Sequence, residues 1–324
     1  MTSSASDIRA VIAGTGGYLP AEVLDNNAVA QRHGLDTSDE WIIERTGIRQ
    51  RHIAAPGETT GDLGAAAARE ALTQAGIDVS EVDAIIVATA TPDSAFPSTA
   101  ARVQAKLGVT RGFAFDISAA CTGFVYALSV ADAMLRAGQA RCALVIGAEV
   151  FTRLLDWSDR STCVLFGDGA GAVVMRAIPV DAAEGRGVLS CHLHADGTHG
   201  DILSVDPATR IVRMTGREVF RHAVSKLASV VDEALAANGL DKADVSWLVP
   251  HQANQRIIDA MGRKLGLPPE RVVTTVGRHA NTSAASIPLA LAEATRDGRI
   301  KKGELVLMEA IGGGLTWGAA LARF

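Results

Sequence analysis

What this sequence lacks excludes several classes of protein. Basic residues are outnumbered, 31 Lys and Arg against 36 Asp and Glu, so a net charge of −5 disfavours broad electrostatic binding of nucleic acid. Long apolar runs are missing too, since the longest uncharged stretch, Ile117 to Ala131, is shorter than the ~20 residues that span a bilayer. We therefore expect no nucleic-acid partner and no membrane segment.

Cysteine is scarce, and its spacing excludes the structures that cysteines often form. The four cysteines, Cys121, Cys142, Cys163 and Cys191, include no C-x-x-C pair, so neither a disulfide framework nor a structural zinc site is expected. The first residues, Met1–Asp7, lack the basic and apolar regions of a secretory signal, and we expect a cytoplasmic protein. A cysteine with a special role is expected to be a nucleophile.

The patterns along the chain predict an α/β protein. Hydrophobic residues make up 48% of the chain, and no Pro/Ser-rich linker or low-complexity tract interrupts the alternation of helical and strand-like patterns. The box Thr37-Ser-Asp-Glu40 predicts the beginning of a short helix, and Phe220–Leu235 predicts an amphipathic one. Strands are predicted at Ala84–Ala88, Ala143–Gly147, Trp247–Val249 and Glu304–Met308.

An internal repeat divides the chain into two similar halves. Ala71–Val87 matches Ala234–Pro250, 163 residues later, and Arg136 matches Arg296 within similar Arg-x-Gly sequences. A period near 160 is too long for a solenoid repeat, so two copies of one α/β domain, related by a pseudo-twofold, are indicated. An active site between the two copies is then expected.

Cys121 is the first residue with a predicted chemical role. It follows the strand-like Phe113–Ile117 and precedes apolar residues at helical spacing, which places its sulfur at a helix N-terminus. There the helix dipole favours the thiolate, and such sites can lower a cysteine pKa from ~8.5 to ~3.5–7.5. Its small neighbours are also typical of a cysteine that merely packs in a core.

Two further residues join Cys121 through the repeat. His251 follows a predicted strand, where α/β folds place ligand sites, and Asn281 lies among small residues that allow close approach of a ligand. Each also fits an ordinary structural role, as a histidine satisfied by the backbone or as a helix cap. The offset between Arg136 and Arg296, applied to Cys121, places Cys121 opposite Asn281. Domain 1–178 would then carry the nucleophile, and domain 179–324 would carry the histidine and the asparagine.

Sequence motifs of high specificity extend over essentially the whole chain. They are Thr37–Ile42, Arg45–Arg49, Ala95–Ser98, Ala119–Cys121, Phe166–Ala172, His251–Asn254, Asn281–Ser286, Gly312–Gly314 and Thr316–Gly318. With these motifs the chain resembles the thiolase superfamily, and within it the β-ketoacyl-acyl-carrier-protein synthase III enzymes that start bacterial fatty acid synthesis. The resemblance implies a thiolase-like fold with five layers, α-β-α-β-α, in a homodimer.

The resemblance also implies a reaction. Cys121 would be acylated by a coenzyme A thioester, and His251 with Asn281 would hold the malonyl thioester oxygen while carbon dioxide leaves. The backbone N–H groups of Cys121 and Gly313 would bind the oxyanion of the acyl-cysteine. No metal and no permanently bound cofactor is implied, since acyl-coenzyme A and malonyl-acyl carrier protein are substrates.

Further residues are implied to bind the substrates. Trp41 and Arg160 would sandwich the adenine of coenzyme A, Arg45 and Asn254 would position it, and Phe96 would cross the dimer interface to cap the partner's acyl tunnel. We therefore expect short primers, chiefly acetyl.

The chain departs from the family pattern at three positions. Ile311 and Leu315 stand where related acetyl-primed enzymes often carry Phe, and Ala280 stands where Gly is usual. These differences concern the shape of the pocket and the preferred primer length rather than the chemistry.

Basic residues offer a local docking surface for an acidic acyl carrier protein. Arg256, Arg263 and Lys264 follow the predicted active-site histidine on one helix, and Arg217 and Arg221 form an i,i+4 pair on another. An ordinary solvated face would show the same pattern.

Three other functions remain open at this point. A papain-like cysteine hydrolase has a similar order and spacing of Cys121, His251 and Asn281, although the sequence around Cys121 differs from that family. A non-catalytic module that binds acyl carriers and a thiolase-fold acyltransferase of a specialised pathway are the others. Cys191–His194 superficially resembles a metal cluster, and Gly167–Gly171 lacks the following helix of a dinucleotide-binding loop.

Overall fold

The computed structural model describes residues 7–324. The strands are β1 (Ile8–Tyr18), β2 (Glu22–Asp25), β3 (Gln50–Ile53), β4 (Ala84–Ala88), β5 (Phe113–Ile117), β6 (Cys142–Glu149), β7 (Gly169–Pro179), β8 (Gly187–Ala195), β9 (Leu203–Val205), β10 (Val212–Met214), β11 (Trp247–Pro250), β12 (Leu305–Gly312) and β13 (Thr316–Arg323). The helices are α1 (Asn26–His33), α2 (Asp39–Thr46), α3 (Thr60–Ala75), α4 (Thr99–Leu107), α5 (Gly123–Arg136), α6 (Gly216–Ala237), α7 (Gln255–Leu265), α8 (Val276–His279) and α9 (Ser286–Arg296). The predicted α/β class is confirmed.

Two main sheets organise the molecule. The first has the strand order β1-β7-β6-β4-β5, and the second has the order β11-β12-β13-β8. Both are mixed: β4 runs parallel to β5 and β6, β11 runs parallel to β12, and the remaining pairs are antiparallel. The boundary placed after residue 178 would fall at the end of β7, and it stays a prediction because both sheets share the helices between them.

The helices complete five layers. α3 and α4 pack on the outer face of the first sheet, α5 and α9 lie between the sheets, and α6 and α7 cover the outer face of the second. One core cluster joins Phe124 and Leu128 of α5 to Val145 of the first sheet and Met308 of the second. The predicted order of layers, α-β-α-β-α, is confirmed.

Burial on both faces explains the strands that the sequence predicts best. All residues of β4, β6 and β12 are buried, which is typical of strands covered by helices on both sides. The prediction for residues 84–88 matches β4, while the predicted helix at residues 220–235 is longer in the structure, Gly216–Ala237. In the part of the chain that the structure describes, no helix is both long and apolar enough to cross a membrane.

The beginning of α2 corrects one prediction. The N-cap is Ser38, whose side chain accepts a hydrogen bond from the Trp41 N–H, and Thr37 is not the cap. Thr37 and Ser38 are both good caps by residue type, and Ser38 has the extended backbone, with φ −133°, that a cap adopts. A reciprocal capping box occurs instead at Thr59 and Asp62 of α3.

The two central helices correct the predicted alignment of the halves. Both end at the matched arginines, but α9 has 11 residues and α5 has 14. A 3₁₀ turn precedes each helix, Ala120–Thr122 before α5 and Ser283–Ala285 before α9. Counted from these turns, Cys121 corresponds to Ala284, so its predicted correspondence with Asn281 is wrong by three residues.

Candidate active site

One cavity brings the three predicted chemical residues together. It has a volume of about 600 Å³, and Cys121, His251 and Asn281 all line it. The cysteine comes from the first half of the chain and the other two from the second. The cavity therefore lies where the two halves meet, as the repeat predicts.

Cys121 lies in the middle of the 3₁₀ turn that leads into α5. The turn is tied to β13 by a hydrogen bond from Thr122 Oγ1 to the Thr316 carbonyl, at 2.9 Å. Burial raises the pKa of the Cys121 thiol to about 12. This direction is opposite to the predicted lowering, because loss of water disfavours the thiolate.

His251 begins where β11 ends. Its N–H donates to the Glu309 carbonyl of β12 at 2.8 Å, and its Nδ1 lies 2.6 Å from Ser286 Oγ on α9. The Gln252 N–H donates to the same hydroxyl oxygen, at 3.3 Å. We assign the Ser286 O–H as the donor to Nδ1, which puts the ring hydrogen on Nε2. Burial lowers the pKa of His251 to about 3, so the ring is a neutral N–H donor at physiological pH.

Asn281 is held by both its backbone and its side chain. Its N–H donates to the Leu165 carbonyl at 2.9 Å, and its carbonyl accepts from the Gly167 N–H at 3.1 Å. Its side-chain Oδ1 accepts from the Ser283 N–H at 2.9 Å, which orients the amide and leaves the Nδ2–H groups for a ligand in the cavity. Asn281 is therefore a second, oriented N–H donor.

The residue before Asn281 explains one departure from the family pattern. Ala280 has φ 58° and ψ −162°, a backbone region that glycine adopts readily and alanine does not. Fixing such a conformation costs on the order of 1–3 kcal/mol. This geometry is the physical reason that glycine is usual at this position, and alanine here keeps the same backbone with added strain.

The Phe166-Gly-Asp168 motif is structural. Asp168 is buried and accepts from the Thr152 N–H and hydroxyl and from the Ala54 N–H. A Cβ at Gly167 would lie 3.0 Å from the His279 carbonyl, so the backbone passes close beside the segment that leads to Asn281. The motif packs against the site and is followed by β7, in agreement with the exclusion of dinucleotide binding.

The glycine run at the end of β12, Gly312–Gly314, lies close to Cys121. A Cβ at Gly312 would lie 2.7 Å from the Cys121 backbone nitrogen, and one at Gly313 would lie 2.6 Å from the Leu203 carbonyl. Contacts this short require glycine at both positions. Gly313 lines the cavity together with Cys121, and their pairing as an oxyanion hole stays a prediction.

The residues predicted to bind coenzyme A line the same cavity. Arg45 and Arg160 lie over the Trp41 ring, with guanidinium carbons 4.4 and 5.1 Å from its centroid. A base held between Trp41 and Arg160 needs about 7 Å, two stacking contacts of ~3.5 Å each, so Arg160 would have to move outward. Asn254 caps α7 through its Oδ1 and donates its Nδ2–H to the Arg45 carbonyl at 3.0 Å.

The remaining predicted residues lie outside the centre of the site. Phe96 is 86% exposed and does not line the cavity of its own chain. Arg256 lines the cavity mouth at the beginning of α7, whereas Arg263 and Lys264 are exposed at its end. Arg221 is exposed on α6, one turn after Arg217, which also lines the mouth; these docking roles stay predictions.

Sequence reasoning missed three polar residues next to the site. The Ser286 hydroxyl contacts His251, the Ser283 backbone N–H orients Asn281, and Glu149 lies buried at the end of β6. A signal existed for Glu149, because a single acidic residue ends an otherwise apolar strand. Both serines lie in the Asn281–Ser286 motif, but the motif did not reveal their roles, since small polar residues are common in turns.

The candidate metal cluster has another explanation. Across residues 7–324, no group of three or more His, Cys, Asp and Glu side chains could hold a metal ion. His192 Nδ1 and His194 Nε2 both contact the Glu233 carboxylate, at 3.0 and 2.6 Å, so the histidines are paired with an acid on α6.

A thiolase-like fold with a buried cysteine, a neutral histidine and an asparagine in one cavity defines the class as condensing acyltransferases. The model of the 3-oxoacyl-[acyl-carrier-protein] synthase III family matches residues 115–197, and the model of its C-terminal region matches residues 235–324. The β-ketoacyl-[acyl-carrier-protein] synthase III of Acidiphilium cryptum is 65% identical over 322 residues, covering 98% of this chain and 99% of that protein. The chain therefore belongs to the 3-oxoacyl-[acyl-carrier-protein] synthase III family.

Solved structures agree with this assignment. The crystal structure of 3-oxoacyl-[acyl-carrier-protein] synthase III from Aquifex aeolicus is 48% identical with a TM-score of 0.93, covering 97% of this chain and 100% of that chain. The priming β-ketosynthase of the R1128 polyketide biosynthetic pathway is 38% identical with a TM-score of 0.91, covering 98% of this chain and 97% of that chain. The predicted family and thiolase-like fold are confirmed.

Proposed function

We propose that this chain takes a short acyl group, chiefly acetyl, from coenzyme A and condenses it with the malonyl group of malonyl-acyl carrier protein, releasing carbon dioxide. The observation that carries the proposal is the meeting of Cys121, His251 and Asn281 in one cavity. One residue supplies a nucleophile and two supply oriented N–H donors, which is what acyl transfer followed by decarboxylation requires.

The first step forms an acyl-enzyme. The Cys121 sulfur attacks the thioester carbonyl, a new C–S bond forms, and the bond to the coenzyme A sulfur breaks. The developing oxyanion would accept hydrogen bonds from the backbone N–H groups of Cys121 and Gly313. The close approach of Gly312 to the Cys121 nitrogen, which leaves no room for a Cβ, supports this arrangement, because it places the glycine run beside the nucleophile.

The second step uses the second half of the chain. The His251 Nε2–H and the Asn281 Nδ2–H would donate to the malonyl thioester oxygen while the carboxyl group leaves as carbon dioxide. The carbanion then attacks the acyl-cysteine carbonyl, the bond to sulfur breaks, and the released Cys121 thiolate takes up one proton from solvent to restore the thiol. A neutral His251 suits this role, and each well-placed donor can contribute ~2.7–4 kcal/mol in the transition state.

The two steps give a direct test of the assigned roles. Cys121→Ala should take up no label from acetyl-coenzyme A, whereas His251→Ala should still be acylated but should release carbon dioxide from malonyl-carrier protein ~10²–10³-fold more slowly. Cys142→Ala, which changes another buried cysteine, is the matched control. It should be acylated and should release carbon dioxide as the wild type does. A His251→Ala variant that cannot be acylated but decarboxylates normally would refute the assignment.

The hydrolase and the non-catalytic module are less well supported. A papain-like site needs a thiolate and a charged histidine, but burial holds Cys121 as a thiol and His251 as a neutral ring. A binding module would release no carbon dioxide from malonyl-carrier protein. The proposed reaction calls for no bound cofactor, and because its substrates belong to cytoplasmic metabolism we place it in the cytoplasm.

Primer length decides between bulk fatty acid synthesis and a specialised pathway. The 38% identity to the priming ketosynthase supports a specialised acyltransferase as the second candidate. The exposure of Phe96 fits a side chain that caps the acyl tunnel of a second copy in a homodimer. Truncating it in Phe96→Ala should lengthen the accepted primer, and a wild-type preference for eight or more carbons would reject acetyl priming.

The acyl carrier protein is proposed to dock on the basic face of α7. Reversing Arg256 and Lys264 to Glu should raise KM for malonyl-carrier protein about tenfold at low salt and less at high salt, while acylation by acetyl-coenzyme A changes little. The matched control reverses Lys301 and Lys302 to Glu. These residues precede β12, far along the strand from the glycine run at the active site, and their reversal should leave both KM values unchanged. Equal losses with both substrates would indicate damage to the shared cavity instead.

A further inference from the structure

We propose that Glu149, acting through the Ser283 hydroxyl, takes up the Cys121 proton when the cysteine is acylated and returns it to the departing coenzyme A sulfur. This inference rests on the function proposed above and names a residue for a step that His251 and Asn281 leave unassigned. Glu149 contacts no substrate in this scheme, so it is a positioning residue that acts through Ser283.

The strand geometry aims Glu149 at the site. Along β6, Val145 faces the central helices, and alternation places Gly147 and Glu149 on the same face. A Cβ at Gly147 would lie only 2.1 Å from the Ala284 carbonyl, so the strand passes directly against the turn that precedes α9. Glu149 is fully buried and lies one pleat further along this face.

Ser283 begins the turn that packs against both the strand that carries Glu149 and the turn that carries Cys121. Its hydroxyl is buried and has no hydrogen bond of standard geometry within the described chain. Burial raises the pKa of both Cys121 and Glu149, and interaction with the Ser283 side chain lowers each pKa in part. A buried hydroxyl that has no competing partner and lies on a turn packed against both segments is the element that a proton relay requires.

The carboxyl group is held by three other residues. Thr91 Oγ1 donates to it at 2.6 Å, the Ala90 N–H at 3.0 Å and Thr89 Oγ1 at 3.2 Å. Burial raises the pKa of Glu149 to about 7, since these donors only partly compensate for lost water. Cys121 is the titratable group that faces Glu149 from the central layer, and the β4 side contributes only these neutral donors.

Glu149 is a better proton acceptor than His251. Burial gives Glu149 a pKa of about 7 and His251 one of about 3, so the carboxylate holds a proton far more strongly. Transfer to His251 would also create two charges from two neutral groups in a buried site. Transfer to Glu149 keeps a single negative charge throughout, which avoids that desolvation penalty.

The step balances without another reactant. The Cys121 S–H gives its proton to Ser283, whose own proton passes to the Glu149 carboxylate, and the sulfur electron pair forms the bond to the acyl carbon. The bond from that carbon to the coenzyme A sulfur breaks, and the leaving thiolate receives the proton back by the same route. Glu149 ends as the carboxylate and coenzyme A leaves as a thiol.

The test is a pH profile of single-turnover acylation with labelled acetyl-coenzyme A. In wild type the rate should rise to a plateau above pH ~7, and Glu149→Gln should be at least tenfold slower at pH 8 without that inflection. Glu149→Asp should retain the inflection. Ser283→Ala should behave like Glu149→Gln. Because alanine keeps the backbone N–H that holds Asn281, carbon dioxide release from malonyl-carrier protein should stay within twofold in each variant.

Two controls make the result decisive. Glu309→Gln changes another buried glutamate, which alternation along β12 places on the outer face with Leu307, and it should leave the profile unchanged. Alkylation of Cys121 by iodoacetamide, which needs no acyl substrate, should level off near pH 7 in wild type and keep rising in Glu149→Gln. If acetyl-coenzyme A labels no variant, the proposed function fails while alkylation still tests the relay.

Three results would overturn the relay. They are a normal profile in Glu149→Gln, an equal loss in Glu309→Gln, and a wild-type profile in Ser283→Ala should the glutamate variant fail to fold.

Discussion

The turns before the two central helices have a similar backbone conformation, but their side chains differ in chemistry. Ala120 and Ser283 begin them, with φ values of 45° and 50°, and each turn runs directly into its helix. The first turn places Cys121 in the cavity, while the equivalent residue of the second is Ala284. In the second half the functional amide is Asn281, which precedes the turn.

The two strands that lead to the site show the same contrast. β6 and β12 each carry one fully buried glutamate. Glu149 faces the central helices and is met by several donors, whereas both oxygens of Glu309, on the outer face, have no hydrogen-bond partner within the described residues. A duplicated backbone thus supplies equivalent positions, and the face and side chain decide which of them take part in chemistry.

The largest effect is expected from the donor that only the second half has. Asn281→Ala should slow carbon dioxide release ~10²–10³-fold, because one oriented N–H donor is lost, and should leave acylation of Cys121 nearly unchanged. Ser118→Ala, three residues before the cysteine and exposed, is the matched change in the first half and should have no effect. Equal losses would erase the distinction between the halves.

The unpartnered glutamate should make stability depend on pH. Burial raises the pKa of Glu309 to about 8 from 4.5, so the folded protein binds this proton more strongly than the unfolded chain does. The resulting contribution to the free energy of unfolding is fully present below pH ~4.5 and is lost as pH rises through about 8. Relative to Glu309→Gln, the wild type should therefore lose ~2–4 kcal/mol of unfolding free energy between pH 5 and 9. Urea titrations at each pH measure this, and parallel curves would contradict an unpartnered buried carboxyl group.

A smaller effect is expected at the first residue of α9. Ser286 orients His251, whereas the equivalent first residue of α5 is Gly123, which has no side chain. Ser286→Ala should slow decarboxylation about tenfold, the equivalent of ~1.4 kcal/mol, because nothing then favours the hydrogen on Nε2. Nitrogen NMR of the ring should show a changed tautomer, and an unchanged tautomer would reject this role.

The smallest effect concerns backbone strain beside Asn281. Ala280→Gly should change the unfolding free energy by less than ~1 kcal/mol, because relief of the positive φ offsets the lost methyl group. Ala290→Gly, at a buried site within α9, should cost ~2 kcal/mol. Thermal unfolding of both variants measures the difference, and equal costs would show that Ala280 is unstrained.

Much of the fold was predictable from local patterns. The apolar run Ala84–Ala88 is long enough for a strand and is too short for a helix, and the repeat indicated two equivalent domains. The helix cap at residue 38 was not predictable, because two adjacent residues can both cap and packing chooses between them. The alignment of Cys121 failed for a similar reason: helices of unequal length keep only one end in register.

By itself the sequence determined the family, the α/β class and the choice of Cys121, His251 and Asn281 as the reactive residues. These depend on residue types in motifs that can be recognised from the order of residues alone. Only the tertiary structure decided the state of those residues. Burial makes the cysteine a neutral thiol and the histidine a neutral ring. Folding of the chain places the turn that begins at Ser283 against the segments that carry Cys121 and Glu149. Desolvation depends on all the atoms that surround a group, and those atoms come from segments far apart in the chain.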